Sequence, residues 1–246
     1  MKRFSDDLLR LLGTRHRIGV GHAGADVAHG LWPEEAAAMA RATAHRRSEF
    51  AAGRAAARAA LRGIGLVPFA IPMAVDRAPV WPRGVVGSIT HHDGQCLAIA
   101  ARNQRLAGLG LDLETRADLP GDLWAEILSD AEMGWLGLRD VGDRGLLARI
   151  IFSAKEATYK ALYPITGQVV GFDAMTIRAD TDTGRFTARL AMRFGNYDRG
   201  TVLRGHILQS RTHVVTALAL PFPGVYGQIG AAIPDMEMEC FRPFQA

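Results

Sequence analysis

The sequence predicts an α+β protein of two similar lobes, each a helix packed on an antiparallel sheet. The lobes are related by a pseudo-twofold axis, with the active site in the cleft between them. Two observations carry this expectation. The 246 residues read as helix then strands, twice over. Aligning residues 50–58 with 152–160 also places Phe50 on Phe152, matches two alanines, and puts Arg58 on Lys160. The lobes divide at 1–116 and 117–246, and an interface of this kind is a favoured ligand site. Both lobes lie in one chain, so a monomer is expected.

Taken in order, residues 1–13 read as an irregular start. Pro33-Glu34-Glu35 then opens a long helix, because proline and acids suit a first turn. The alanine-rich pattern carries this helix to Arg62, and Gly63 and Gly65 stop it. Pro68, Pro72, Pro79 and Pro82 mark a loop. Strands are expected at 85–90, 96–101 and 108–114, and a helix-rich region over 123–161. Further strands are expected at 174–179, 185–192, 202–209 and 214–220. Gly19-Val20-Gly21-His22-Ala23-Gly24 matches the dinucleotide pattern G-x-G-x-x-G. It lacks the strand before it and the helix directly after it, so it is read as accidental.

Hydrophobic content of 48% and charged content of 22% are ordinary for a globular protein with length enough for a core. No apolar run reaches the length of a signal peptide or a membrane span, so no membrane partner is expected. Cys96 and Cys240 are too few for a disulfide framework, and a reduced cytoplasm is the expected compartment. A net charge of +4 is compatible with nucleic acid, acidic proteins or phosphorylated small molecules.

Gly108-Leu109-Gly110-Leu111-Asp112-Leu113-Glu114 sorts by period two. The leucines line a core face. Asp112 and Glu114 share the other face with glycines that leave room for close approach. Neighbouring carboxylates repel unless a proton or a cation relieves them. Mg²⁺ or Mn²⁺, hard cations that take oxygen ligands, would do so. A strand that simply runs into solvent at Glu114 is the plain alternative.

The second stretch is Phe152-Ser153-Ala154-Lys155-Glu156-Ala157-Thr158-Tyr159-Lys160. Of 29 lysines and arginines, only Lys2, Lys155 and Lys160 are lysines, and two of those three fall here. On a helix Glu156 and Lys160 share a face. An ordinary surface ion pair would account for this stretch alone; Asp112 and Glu114 make it a candidate third carboxylate with adjacent cations. Thr90, His91 and His92 end a predicted strand and suit a phosphate, whereas zinc lacks a further suitably spaced ligand. Arg46, Arg47, Arg54 and Arg58 lie along the first helix, with Arg47, Arg54 and Arg58 on one face as a solvated stripe or a phosphate clamp.

Together these pieces resemble the surfactin-synthetase-activating (Sfp-like) 4′-phosphopantetheinyl transferases, nearest the enterobactin synthetase component D branch and its actinobacterial relatives. The resemblance rests on Arg46-Arg47-Ser48-Glu49-Phe50 with Gly53-Arg54, Ala78 to Pro82, Gly84 to His91, Gly110 to Glu114, and Phe152 to Lys160. It implies transfer of phosphopantetheine from coenzyme A to a serine of an apo acyl or peptidyl carrier protein, with release of adenosine 3′,5′-bisphosphate. Siderophore, polyketide and other nonribosomal-peptide pathways are the settings it implies. Asp112, Glu114 and Glu156 would hold the metal. Arg46, Arg47, Arg54, Thr90 and His91 would bind the nucleotide end. Lys155 and Lys160 would neutralise the pyrophosphate, with Glu156 and Lys160 as the catalytic pair. Some relatives carry a lysine where Met73 stands, and Arg77 is a candidate replacement. The competing readings are another Mg²⁺-dependent nucleotide phosphotransferase or phosphohydrolase, and a basic nucleic-acid-binding module. The scattered arginines argue against the latter, so no nucleic-acid partner is expected.

Overall fold

The computed structural model describes residues 1–13 and 17–222; Cys240 lies outside them. Helix α1 (Lys2–Gly13) is followed by β1 (Ile18–Gly24), the short α2 (Pro33–Ala36) and the long α3 (Ala44–Gly63). Strands β2 (Val85–His92), β3 (Gln95–Arg102) and β4 (Leu106–Thr115) come next. Helices α4 (Trp124–Ile127), α5 (Asp130–Gly137) and α6 (Val141–Thr166) precede β5 (Met175–Asp180), β6 (Arg185–Leu190), β7 (Val202–Gln209) and β8 (His213–Pro221). All strand pairs are antiparallel and form two sheets, β1-β3-β2 and β4-β8-β7-β6-β5. This is the expected α+β class.

Three departures from the sequence reading have physical causes. The start is helical, because Phe4, Leu8 and Leu12 recur every fourth residue and are buried. The glycine-rich match is itself a strand, β1. A Cβ on Gly19 would lie 1.9 Å from the Ala60 carbonyl oxygen, and one on Gly21 would lie 1.9 Å from that of Ala56. These glycines therefore let α3 press against the sheet. The helix expected to run unbroken from Pro33 to Arg62 is interrupted: α2 gives way to a 3-10 turn over Ala37–Met39, and the chain restarts at α3. The Thr43 hydroxyl caps α3 by accepting from the Arg46 amide.

The same close approach recurs in the second half. A Cβ on Gly108 would lie 2.3 Å from the Ala161 carbonyl oxygen, and one on Gly110 would lie 1.9 Å from that of Ala157, both on α6. Each long helix covers one face of its sheet. The faces turned away from the helices share a core, in which Leu97 and Ile99 of β3 meet Leu109, Leu111 and Leu113 of β4 and Leu8 of α1. Backbone pairing does not join β4 to β2. Instead Ser88 Oγ accepts from the Leu111 amide and Thr90 Oγ1 from the Leu113 amide. A seam of two hydroxyls thus satisfies the free edge of β4 and fixes the end of β2 beside Asp112.

Candidate active site

Strand β4 presents Asp112 and Glu114 on the face covered by α6, and both are buried. The Lys160 ammonium donates to Asp112 Oδ1 at 2.6 Å, and the Thr90 hydroxyl donates to the same oxygen at 3.3 Å. Asp112 Oδ2 is buried with no hydrogen-bond partner. Glu114 accepts from Arg149 Nη1 at 2.9 Å through Oε2, while His92 Nδ1 lies 3.5 Å from Oε1. Burial, and then the Asp112 charge, push the Glu114 carboxyl above its ordinary value; His92 and Arg149 oppose them. Burial likewise raises Glu156, with Lys160 opposing and Asp112 adding. Glu114 and Glu156 therefore each feel the Asp112 charge.

The cluster answers the test of a cation site in part. Among the described residues, no three metal-ligating side chains converge closely enough to form a ligand group. Even so, the carboxylates of Asp112, Glu114 and Glu156 stand with the basic side chains of Lys160 and Arg149. An orphaned buried oxygen such as Asp112 Oδ2 is costly unless something binds it. This donor set is all oxygen, which fits Mg²⁺ or Mn²⁺.

Near the site, β2 and the start of α3 make a second group. Arg46 Nη1 donates to His91 Nε2 at 3.0 Å, and Glu49 takes Arg46 at 3.4 Å and His45 at 3.5 Å. An arginine can only donate, so in this contact Nε2 accepts, while the same nitrogen lies 3.7 Å from Glu49 Oε2. Burial is the main cause that lowers the His91 pKa. Arg54 is 6% exposed, donates through Nε to the Ile71 carbonyl and stacks 3.8 Å from the Phe50 ring. Burial lowers it to about 10, with Glu35 opposing.

Two residues named from the sequence stand apart from these groups. Lys155 is 1% exposed, and its ammonium is used up by Glu132 Oε2 at 2.7 Å and by the Ile127 and Phe172 carbonyls at 2.7 and 2.9 Å. It lies inside a second core, built between α5, α6 and strands β5–β8, because Glu132 draws it there. Exposed Arg47 turns back to the Ala42 carbonyl at 3.2 Å. Arg58, the third arginine of that expected face, is buried against Glu35 at 2.7 Å. Met73 bridges Pro79 in a tight turn where Arg77 has φ +71°. That turn is tied to α6 by the Tyr163 hydroxyl, 2.7 Å from Asp76.

Arg149 and Glu49 are functional candidates that sequence reasoning passed over. Arg149 stands seven residues before Glu156, two turns along the same face of α6, so helical spacing was the available signal. Glu49 stands within hydrogen-bonding reach of Arg46 three residues away, and no pattern in the chain marks that role.

Two family models match the chain. The model of the 4′-phosphopantetheinyl transferase N-terminal domain matches residues 34–101, and that of the 4′-phosphopantetheinyl transferase superfamily matches 108–217. The chain is 36% identical over 197 residues to the 4′-phosphopantetheinyl transferase Npt of Nocardia iowensis, covering 76% of this chain and 88% of that protein. The chain belongs to the 4′-phosphopantetheinyl transferase superfamily. PptT of Mycobacterium tuberculosis is 38% identical over 195 residues, covering 76% of this chain and 85% of PptT. Svp of Streptomyces mobaraensis is 45% identical over 161 residues, 65% of each chain. The two superfamily models meet between β3 and β4, so the Asp112 strand and the Lys160 helix fall in one match and the Arg46–His91 group in the other.

Proposed function

We propose that this member of the superfamily transfers 4′-phosphopantetheine from coenzyme A to a serine of an apo acyl or peptidyl carrier protein. Adenosine 3′,5′-bisphosphate leaves. The observation that carries the reading is the unpaired buried oxygen of Asp112, a carboxylate bonded to Lys160 through its other oxygen and felt by Glu114 and Glu156 as a nearby charge. Asp112, Glu114 and Glu156 would hold Mg²⁺ or Mn²⁺, which when bound offsets charge on the pyrophosphate. Phosphoryl transfer asks mainly for positioning and charge neutralisation. Arg46, Arg54 and His91 would orient the nucleotide end. Lys160, a point charge on a short tether, would stabilise the leaving phosphate. The serine Oγ forms the new bond to phosphorus as the bridging P–O bond breaks. Glu156, or a water that it orients, takes the serine proton.

The same reading includes a pseudo-twofold pair of lobes, 1–116 and 117–246, with β4 handed across to pair with β8. The matching glycine–alanine contacts of β1 with α3 and of β4 with α6 support it. It also includes a monomer acting in the cytoplasm. Among the described residues no helix is long and apolar enough to cross a membrane. The test is incubation with coenzyme A, Mg²⁺ and a panel of apo carriers, read as the phosphopantetheine mass increment. Asp112→Ala and Glu156→Ala should abolish it, and Lys160→Arg should weaken it. Hydrolysis of the nucleotide with no increment on any carrier would replace this reading with a phosphohydrolase.

A further inference from the structure

The link between α3 and β2 is pinned at its start and bridged at its tip. Ile71 is fully buried; its amide donates to Glu35 Oε1 at 3.0 Å and its carbonyl accepts from Arg54 Nε at 2.8 Å. Residues 72–80 then form a hairpin, in which the Ala74 amide donates to the Ala78 carbonyl at 2.8 Å and the Val80 amide to the Pro72 carbonyl at 2.9 Å. The tip stands out in solvent, with Val75 and Asp76 exposed. Asp76 Oδ1 closes the turn by accepting from the Ala78 amide at 3.0 Å, and Oδ2 accepts from the Tyr163 hydroxyl at 2.7 Å. Arg77 keeps its left-handed backbone there, a conformation that a non-glycine residue holds only where its surroundings fix the turn.

Glu156, Tyr159 and Tyr163 succeed one another along one face of α6. The two tyrosine rings lie 5.4 Å apart. Burial raises the Tyr159 hydroxyl in pKa, and the Glu156 and Asp76 charges add to the rise, so both carboxylates act on this one side chain. The hairpin therefore runs from Arg54, in the group assigned to the nucleotide end, to the helix that carries Glu156 and Lys160. A single exposed hydrogen bond is worth little net, so this crossing can open and reclose while the pinned start stays in place. We propose that residues 72–80 are a strap across the nucleotide end of the coenzyme, and that Tyr163 is the positioning residue that fastens it through Asp76. The coenzyme enters with the bond broken and is retained when it re-forms. This rests on the transferase reading above.

The test uses the full chain. Tyr163→Phe should raise the coenzyme A KM about fivefold, the loss of one hydrogen bond, while kcat and the carrier KM stay near wild type. Asp76→Ser keeps an acceptor for the turn but is too short to reach Tyr163, and it should have the same effect. The double variant should be no worse than either single one, since each removes the same bond. Their Tm should match wild type, because the bond is exposed. In the wild-type chain adenosine 3′,5′-bisphosphate should slow hydrogen exchange of the Ala74 and Val80 amides several-fold, a measurement that needs neither a variant nor a carrier. A coenzyme A KM unchanged in Tyr163→Phe, additive effects in the double variant, or exchange unaltered by the nucleotide overturns the strap while leaving the transferase reading intact. Failure of the wild-type protein on every carrier overturns both.

Discussion

Lys160 follows Lys155 by five positions, which turns them roughly 140° apart around α6. One ammonium faces the second core and the other faces Asp112. Burial pushes the Lys155 ammonium down in pKa, while Glu132 holds it charged. Lys155→Met would strand Glu132 as a buried unpaired carboxylate. It should lower unfolding stability by about 3–5 kcal/mol in a urea titration. A phosphate-binding role would instead leave stability intact and raise the coenzyme A KM. Lysine scarcity could not tell these apart, because the destination of Lys155 depends on Glu132, far away in sequence. The Asp112–Glu114 pair was legible because alternation in a strand decides which side chains share a face. His91 carries a pH effect. Its folded pKa is depressed, so the unfolded chain takes up a proton first as pH falls below about 6.5. Stability is therefore present above that value and lost as pH falls toward the folded pKa. In His91→Gln the fall in Tm between pH 7.5 and 5.5, followed by circular dichroism, should be smaller than in wild type.

At the scale of elements, the glycines of β1 and β4 set how closely each long helix lies on its sheet. Gly110→Ala would place a methyl group 1.9 Å from the Ala157 carbonyl and 2.9 Å from Leu218. Neither the helix backbone nor the strand can yield cheaply. The variant should lose about 1–3 kcal/mol of stability. It should also lose transfer activity, since α6 carries Glu156 and Lys160 away from Asp112; denaturant titration and the mass-increment assay read the two effects. Sequence pattern revealed β4 because its leucines alternate. It hid β1, whose glycines and alanines answer to a helix that arrives later in the chain. It also hid the break before α3: the alanine run from Ala36 to Ala42 favours helix throughout, and only Thr43, a good cap, marks the restart.

Across the whole molecule, the core shared by α1, β1, β3, β4 and β8 ties the two sheets together, and the Ser88 and Thr90 hydroxyls close their seam. The chain should therefore unfold in one step. Trp81 packs on Gly87 of β2, and Trp135 packs on the second core. Variants retaining only one or the other should give coincident urea transitions by fluorescence; separated midpoints would mean independent halves. On the pseudo-twofold reading proposed above, the glycine contacts also set the register between the lobes. They match Ala56 with Ala157 and Ala60 with Ala161, one residue out of step with the alignment that placed Arg58 on Lys160. In that register Ala23 stands for Asp112, Ala55 for Glu156 and Ala59 for Lys160. On that reading a frame laid down twice is armed once: three methyl groups on one side stand where an acid, a second acid and an amine stand on the other.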